Sequence, residues 1–372
     1  MRYLFVVGHP AHVHLFKNVI RSLRERGHAT LVGAVAREVT TRLLEAFEIP
    51  HFVFGRSRTN LLSKALDLLP KDLALLTQAR KFRPDMIVST GSPYGAHVSA
   101  LLSKPHLIFG DTEHATLIAD LTLPFSDAVC TPEAFQGDLG PKHIRYNGYK
   151  EIAYLHPNYF APDPRILDDV GLSASEPYII LRFSAWDASH DVGDHGFALR
   201  GDDKILGFCQ GLERLGKVVA IGDRPISRQL ERYDLKIPPE SLHDVLAFAQ
   251  LYVGEGATMA AEAGVLGVPW IFVSTTSRGF LDEQARRYNL GYWVTRADDA
   301  LHRARTLLSE PNLRANWRAR RDSMLLEKID VVQFILKFIE GWPDSLRAAR
   351  MRGARRLHAL GIQSDHGGHP HG

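Results

Sequence analysis

The chain has 372 residues, 45% of them hydrophobic and 23% charged, which is typical of soluble globular proteins and long enough for two domains. The formal net charge of +3 is too small to indicate a nucleic-acid partner. Cys130 and Cys209 lie far apart near apolar segments, so we expect free buried thiols in a reducing compartment. The strand-like start predicts no signal peptide, no apolar run reaches the roughly 20 residues of a membrane span, and we expect a cytoplasmic location.

The first half of the chain alternates short apolar runs with amphipathic stretches, which predicts a parallel sheet with helices on both faces. Ligands bind such sheets beyond the carboxyl ends of the strands, here loops 8–14, 89–95 and 110–114. The predicted elements are a strand at Tyr3–Val7, a helix with Phe16, Val19, Ile20 and Leu23 on one face, a strand at Thr30–Val35, a helix near Val39–Phe47, and strands at Met86–Ser89 and Leu107–Phe109.

Residues 58–83 are apolar with interspersed Lys and Arg. Such a segment suits a membrane interface, with the basic groups toward anionic lipid at the inner face of the membrane. It suits equally a pair of core-packed helices broken at Pro70, the interpretation that we favour because Leu is the usual core residue.

A proline-rich stretch, residues 151–176, interrupts the alternation and predicts a linker. It divides the chain into domains at 1–150 and 177–345, followed by a basic helix end and a disordered His- and Gly-rich tail at 346–372. The second domain has predicted strands at Tyr178–Phe183, Val218–Ile221, Leu251–Val253 and Trp270–Val273, and helices at Lys204–Leu215, Leu242–Ala249 and Asp282–Tyr288. A later helix, with Val331, Phe334, Ile335, Phe338 and Ile339 at helical spacing, is predicted to pack back across the domains.

The most informative stretch reads GEGATMAAEAGVLGVP, residues 254–269. Thr258 is predicted to cap a helix whose first N–H groups suit a phosphate, and Gly254 and Gly256 let a ligand approach the backbone. Glu262 lies four residues beyond the cap, about 6 Å along the axis, where the hydroxyls of a sugar attached to that phosphate would reach it. Spacing alone leaves open whether Glu262 binds a ligand, is a solvated surface residue or pairs with an arginine.

The same stretch resembles the nucleotide-binding signature of GT-B glycosyltransferases, in particular the lipid II-forming N-acetylglucosaminyltransferase, and of UDP-N-acetylglucosamine 2-epimerase. Further segments, among them GHPAHVHLFKNVI, STGSPYGAHVSAL and GDTEHATL, resemble a family of uncharacterised predicted glycosyltransferases common in archaea, a domain of unknown function. The resemblance covers about residues 5–291. It implies a GT-B fold, with two Rossmann-like domains whose parallel sheets face a central cleft.

The resemblance also implies which residues bind a nucleotide sugar. Glu262 would hold the uridine ribose, and the helix start would hold the diphosphate. The loop after the first strand of the second domain would meet the donor phosphates, although it departs from the His-Arg pair of the epimerase. The implied donor-binding set is Arg182, Ser184, His190, Leu242, Gly254, Gly256, Ala257, Thr258, Met259, Glu262, Arg278 and Gln284.

Candidate catalytic groups follow strands of the first domain. An imidazole titrates near neutrality and suits a general base, and His12 is the first choice, His14 the second. For any one histidine of this loop, capping or lining a helix start is the alternative. GDTEH resembles the HVEAG segment of the epimerase, which makes Asp111 and Glu113 acid–base candidates whose mutual repulsion would raise one pKa. Helix capping is the equally weighted alternative.

The leading hypothesis is a glycosyltransferase that moves a sugar from a UDP donor to an acceptor. The sequence leaves open whether this acceptor is a lipid-linked molecule or a glycan. The alternatives are a UDP-sugar epimerase or hydrolase and a non-catalytic nucleotide-sugar-binding protein. No metal and no cofactor are predicted, the nucleotide sugar being a substrate. Peripheral membrane contact and the oligomeric state are left open.

Overall fold

Two parallel β-sheets organise the computed structural model, which describes residues 1–57, 67–111, 120–173, 175–183, 197, 199, 201–222 and 227–359. Strands in the first sheet run in the order β3-β2-β1-β4-β5-β6-β7, and in the second β12-β11-β10-β8-β9. The strands are β1 Arg2–Val7, β2 Ala29–Ala36, β3 His51–Arg56, β4 Met86–Ser89, β5 His106–Phe109, β6 Ala128–Pro132, β7 His143–Tyr146, β8 Tyr178–Phe183, β9 Lys217–Gly222, β10 Leu251–Gly254, β11 Trp270–Val273 and β12 Gly291–Val294. The predicted α/β class is confirmed.

Helices connect the strands and cover the sheets. They are α1 Pro10–Glu25, α2 Glu38–Ala46, α3 Leu68–Phe82, α4 Pro93–Leu102, α5 Ile152–Leu155, α6 Arg165–Asp169, α7 Asp202–Glu213, α8 Leu242–Phe248, α9 Ala257–Leu266, α10 Gly279–Tyr288, α11 Ala297–Leu308, α12 Leu313–Glu327, α13 Val331–Glu340 and α14 Asp344–Ala359. None of the helices among the described residues is long and apolar enough to cross a membrane. The predicted tail after residue 359 lies outside the described residues.

Each sheet has one point where the strand order reverses, between β1 and β4 in the first and between β8 and β10 in the second. At such a point the connections leave in opposite directions, and a crevice opens at the carboxyl ends of the strands. The loops that follow these four strands are therefore the places where the fold provides room for a ligand.

The segment predicted as a linker begins with one of the most buried stretches of the chain. Ile152, Tyr154 and Leu155 are at most 1% exposed, and α5 packs against both α1 of the first half and α9 of the second. The domain boundaries themselves stay a prediction.

The helix predicted to cross back does so. Helix α13 contacts α1, and its Phe334 and Phe338 pack on Tyr146 and Phe109 of the first sheet, with ring centroids 4.9 Å and 6.0 Å apart. An ion pair and a hydrogen bond from Arg26 and His28 to Glu340 reinforce this contact. The C-terminal helices thus bind the first half of the chain.

The break predicted at Pro70 is wrong, because α3 begins at Leu68 and continues through it. A proline in the first turn of a helix removes no intrahelical hydrogen bond. Helix α3 buries Leu75 and Ala79, as a core helix does, while Leu69 and Leu73 are 67% and 54% exposed. The preceding residues 58–66 lie outside the described residues.

The close approach of β11 and β12 provides a test of the packing of the second sheet. A Cβ at Gly291 would overlap the indole of the fully buried Trp270. We expect Gly291→Ala to lower the free energy of unfolding by about 1–3 kcal/mol, because a packed core has no room for the methyl group. Urea denaturation measures the change.

The matched control is Gly207→Ala in α7, where a Cβ would meet nothing within 4 Å. There alanine should raise the free energy of unfolding by about 0.5–1 kcal/mol through its better helix propensity. Equal effects of the two substitutions would contradict the β11–β12 packing.

Candidate functional site

The reversal point of the first sheet is occupied by His12. The first turn of α1 carries this imidazole back toward β1, where Nδ1 accepts a hydrogen bond from the Gly8 N–H at 3.3 Å. The Thr90 hydroxyl, just after β4, lies 2.9 Å from Nδ1 and 3.0 Å from Nε2. Burial, with Lys150 and Arg37 among the nearby positive groups, holds the pKa of His12 well below its usual value. His12 is therefore a neutral imidazole near neutral pH, the form that can accept a proton.

The other histidines of this loop have different surroundings. His9 is the N-cap of α1 and accepts a hydrogen bond from the Ala11 N–H, as the capping alternative predicts. His14 is 5% exposed and packs against Tyr154 and His243, with ring centroids 5.3 Å and 4.5 Å away. Its Nδ1 atom is buried without a hydrogen-bond partner among the described residues.

A charge cluster follows β5 and β7. Lys150 Nζ lies 2.6 Å from the Asp111 carboxylate and 3.7 Å from Glu151 Oε1. Glu151 is 1% exposed, and burial raises the pKa of its carboxyl above the usual range. The repulsion predicted between Asp111 and Glu113 cannot be followed, because residues 112–119 lie outside the described residues; Asp111 instead pairs with Lys150.

The reversal point of the second sheet lies between Arg182, the penultimate residue of β8, and Gly254 at the end of β10, which are register partners. A Cβ at Gly254 would lie 2.8 Å from the Arg182 carbonyl oxygen and 2.7 Å from the Tyr252 hydroxyl. Glycine is therefore required there by close packing of the strand ends. The Arg182 side chain runs toward the next glycine, with Nε 3.9 Å from where a Gly256 Cβ would be. Ser184 and His190 lie outside the described residues.

Helix α9 begins two residues earlier than predicted, and the predicted cap is wrong. Gly256 is the N-cap, with extended backbone angles, and Thr258 lies inside the first turn; no side chain caps the helix in the part of the chain that the structure describes. Glycine serves at this position because extended backbone there needs no side chain. The first-turn N–H groups, of Ala257, Thr258 and Met259, are those that an α-helix leaves without an internal acceptor, so the basis for an anion site is retained.

Glu262 is neither a surface residue nor paired with an arginine. It is 4% exposed, and its Oε1 atom accepts hydrogen bonds from the Tyr154 hydroxyl at 2.8 Å and from His243 Nε2 at 3.1 Å. Burial acts to raise the pKa of Glu262, but His243, Tyr154 and Lys150 together hold it below the usual value. Glu262 is thus a buried, ionised carboxylate that joins both halves of the chain.

The remaining predicted donor contacts are only partly brought together. Arg278 precedes α10, and its guanidinium donates hydrogen bonds to Thr276 Oγ1 and the Ser277 carbonyl. Gln284 is fully buried, where it accepts a hydrogen bond from Trp270 Nε1 and donates to the Ala261 carbonyl. Gln284 therefore packs α10 against α9, and we leave it out of the proposed site. Met259 of α9 is a buried core residue, and Leu242 of α8 is partly buried against the same core.

Sequence reasoning did not select Lys150, Glu151 or Tyr154. The signal available was a Lys-Glu pair at the entry to an otherwise apolar run, at the boundary between the predicted first domain and the stretch interpreted as a linker. These residues lie between the two sheets: Lys150 Nζ is 5.8 Å from the centre of the Phe280 ring at the start of α10.

Comparison with known proteins decides the family. A family model described as "Protein of unknown function (DUF354)" matches residues 5–292. The chain belongs to the DUF354 family. This confirms the family that the sequence resembles. No curated protein sequence matches this chain significantly.

Solved structures show which fold this DUF354 protein has. S. aureus MnaA with UDP is similar with a TM-score of 0.65 and 12% identity, covering 92% of this chain and 97% of that one. UDP-GlcNAc 2-epimerase from Neisseria meningitidis bound to UDP-GlcNAc gives 0.64 and 12%, covering 92% and 100%. Glycosyltransferase VinC in complex with dTDP gives 0.60 and 14%, covering 94% and 100%. These likenesses confirm the predicted GT-B fold.

The Lys150 cluster provides a test of the site's electrostatics. We expect Lys150→Met to lower the free energy of unfolding by about 3 kcal/mol, because it leaves the largely buried Asp111 carboxylate without its cation. Asp111→Asn in the Lys150→Met background should recover part of the loss. Chemical denaturation at pH 7 measures both changes.

The control is Arg21→Met, which removes an ion pair to Glu25 whose side chains are 77% and 59% exposed. Exposed pairs contribute little, so stability should change by less than about 1 kcal/mol. A Lys150→Met variant as stable as this control would contradict the buried cluster.

Proposed function

We propose that this protein is a glycosyltransferase that takes a sugar from a nucleoside diphosphate donor, UDP in the first instance, at the cleft between the two sheets. The observation that carries the proposal is the start of α9. First-turn N–H groups that no described side chain caps, two glycines and Arg182 meet there at a reversal point, and a buried ionised carboxylate lies further along the same helix. Helix N-termini bind phosphate, and a carboxylate accepts hydrogen bonds from hydroxyl groups.

The assignment of the parts follows from this arrangement. The diphosphate would bind the N–H groups of Ala257 to Met259, with Arg182 neutralising charge on the leaving group. Glu262 would accept from the ribose hydroxyls. His12 would take the proton of the acceptor hydroxyl, for which its neutral state is suited. The proposal leaves open whether the acceptor is a lipid-linked molecule or a glycan. It also leaves peripheral membrane contact open.

Similar folds support the choice of ligand class. MnaA is described as a complex with UDP, the Neisseria epimerase with UDP-GlcNAc and VinC with dTDP. Because identity is only 12–14%, these structures support the class of ligand, a nucleoside diphosphate, and not a particular base, sugar or reaction.

One observation favours a second candidate, a UDP-sugar epimerase or hydrolase. Glu151, with its raised pKa, would keep a proton at neutral pH and could exchange it with a neighbouring group. The two candidates differ in their products. A transferase releases UDP only when an acceptor is present, whereas an epimerase or hydrolase converts UDP-GlcNAc in buffer alone.

Glu262→Gln tests the donor site. Because the amide keeps the volume but loses the charge, we expect UDP to bind about tenfold more weakly, the value of one hydrogen bond to a charged group. Isothermal titration calorimetry with UDP, GDP and dTDP measures the affinities, and thermal unfolding checks that the variant is folded.

The matched control is Glu283→Gln, which alters another carboxylate that accepts a hydrogen bond from a buried tyrosine, Tyr149, at 2.7 Å. UDP affinity should stay within about twofold of the wild type, since Glu283 lies outside the proposed site. Unchanged affinity in Glu262→Gln would remove the ribose assignment, and no binding by the wild type would remove the donor site.

His12→Ala tests the base. We expect UDP release in the presence of a lipid and glycan extract to fall by about 100-fold or more, the contribution of a general base, with UDP affinity little changed. In the wild type the rate should hold as the pH falls from 8 through 6.5, because the lowered pKa of His12 delays its protonation to lower pH. A rate that halves near pH 6.5 would assign the base to another group.

A further inference from the structure

The carboxylate assigned to the ribose is already in use within the protein. Glu262 Oε1 accepts two hydrogen bonds, from Tyr154 and His243. A carboxylate oxygen has two lone pairs, so Oε1 is saturated. Within the described part of the chain, no hydrogen bond to Oε2 is recorded, which leaves one oxygen for a ligand. A ribose diol held by both carboxylate oxygens would require one of the two present donors to leave Oε1.

The two donors are held differently. His243 is on α8, which packs beside α9 in the same half of the chain as Glu262. Tyr154 is on α5, whose main packing is against α1 of the other half. The hydroxyl of Tyr154 therefore makes the contact that crosses between the halves. A relative movement of the halves would separate Tyr154 from Glu262 and leave His243 in place.

Tyr154 has little freedom to leave on its own. Its ring is fully buried between those of His14 and His243, with centroids 5.3 Å and 5.2 Å away. Burial raises the pKa of Tyr154 well above its usual value, so the phenol keeps its proton and remains a donor. A ligand that takes Oε1 must therefore supply the free energy of separating this hydroxyl from a buried charge.

We propose that Tyr154 is a specificity-determining residue that competes with the ribose diol for Glu262, so that diol recognition is coupled to separation of α5 from α9. This inference rests on the proposed donor site. A ligand that lacks the diol would bind with the Tyr154–Glu262 contact intact. Ligands with the diol would bind with a lower affinity than their contacts alone would give, because part of the binding free energy displaces Tyr154.

The experiment is calorimetry of Tyr154→Phe with UDP and GDP, each alongside its 2′,3′-dideoxy counterpart. We expect Tyr154→Phe to bind the ribonucleotide about tenfold more tightly than the wild type does. Its affinity for the dideoxy compound should differ from that of the wild type by less than about twofold. Adding Glu262→Gln to Tyr154→Phe should abolish the gain. The control is Tyr149→Phe, a fully buried tyrosine of the same segment whose hydroxyl donates to Glu283, and all affinities should stay as in the wild type.

Each outcome decides either the competition between Tyr154 and the ribose diol or the proposed donor site. Equal gains for both ligands indicate a general loosening of the interface and overturn the competition, as does an unchanged ribonucleotide affinity in a folded variant. If neither the wild type nor the variant binds any diphosphate, the proposed function fails, and this inference with it.

A second measurement, fluorine NMR, uses the wild-type sequence and therefore does not depend on the stability of a variant. With 3-fluorotyrosine incorporated in the wild-type chain and the resonance of Tyr154 assigned, saturating ribonucleotide should shift that resonance and the dideoxy counterpart should leave it in place. The resonance of Tyr149 should respond to neither. Equal responses of Tyr154 to both ligands would overturn the proposal.

Discussion

A buried negative charge must be given hydrogen bonds and a compensating environment, and Glu262 obtains them from both halves of this protein. His243 comes from the helix next to α9, and Tyr154 from the segment that joins the two sheets. Without these donors an ionised carboxylate at 4% exposure would take up a proton or disrupt its surroundings. The interface between the halves is therefore organised around the same carboxylate that we assign to the ligand.

The placement of the other candidate groups follows from the two sheets. Each sheet reverses its strand order once, and His12 and Arg182 lie at those points. Close strand ends leave room only for glycine at position 254, which brings the start of α9 to the crevice. Six of the ten residues of α9 are Ala, Gly or Thr, and these small side chains let the helix pack closely against β10 and β11.

Charge compensation also explains the cluster formed by Lys150, Asp111 and Glu151. Lys150 is the cation between Asp111 and Glu151, and its field extends to Glu262 and His12. One lysine cannot neutralise three nearby carboxyl groups, so burial leaves Glu151 with a raised pKa while Glu262, with two hydrogen-bond donors, stays ionised. Groups of one chemical type thus differ in protonation because their surroundings differ.

The sequence by itself determined the α/β class, most inner strands and the GT-B resemblance, and it singled out Glu262 as a candidate, because buried parallel strands are continuous apolar runs and helix-end chemistry is local. Edge strands such as β3, β7 and β12 were missed because one exposed side dilutes the apolar run. Only the tertiary structure decided the partners of Glu262, the roles of Lys150 and Tyr154, and the burial of Gln284. These depend on tertiary contacts, between residues 14 positions apart for Trp270 and Gln284 and 108 positions apart for Tyr154 and Glu262, which no local pattern encodes.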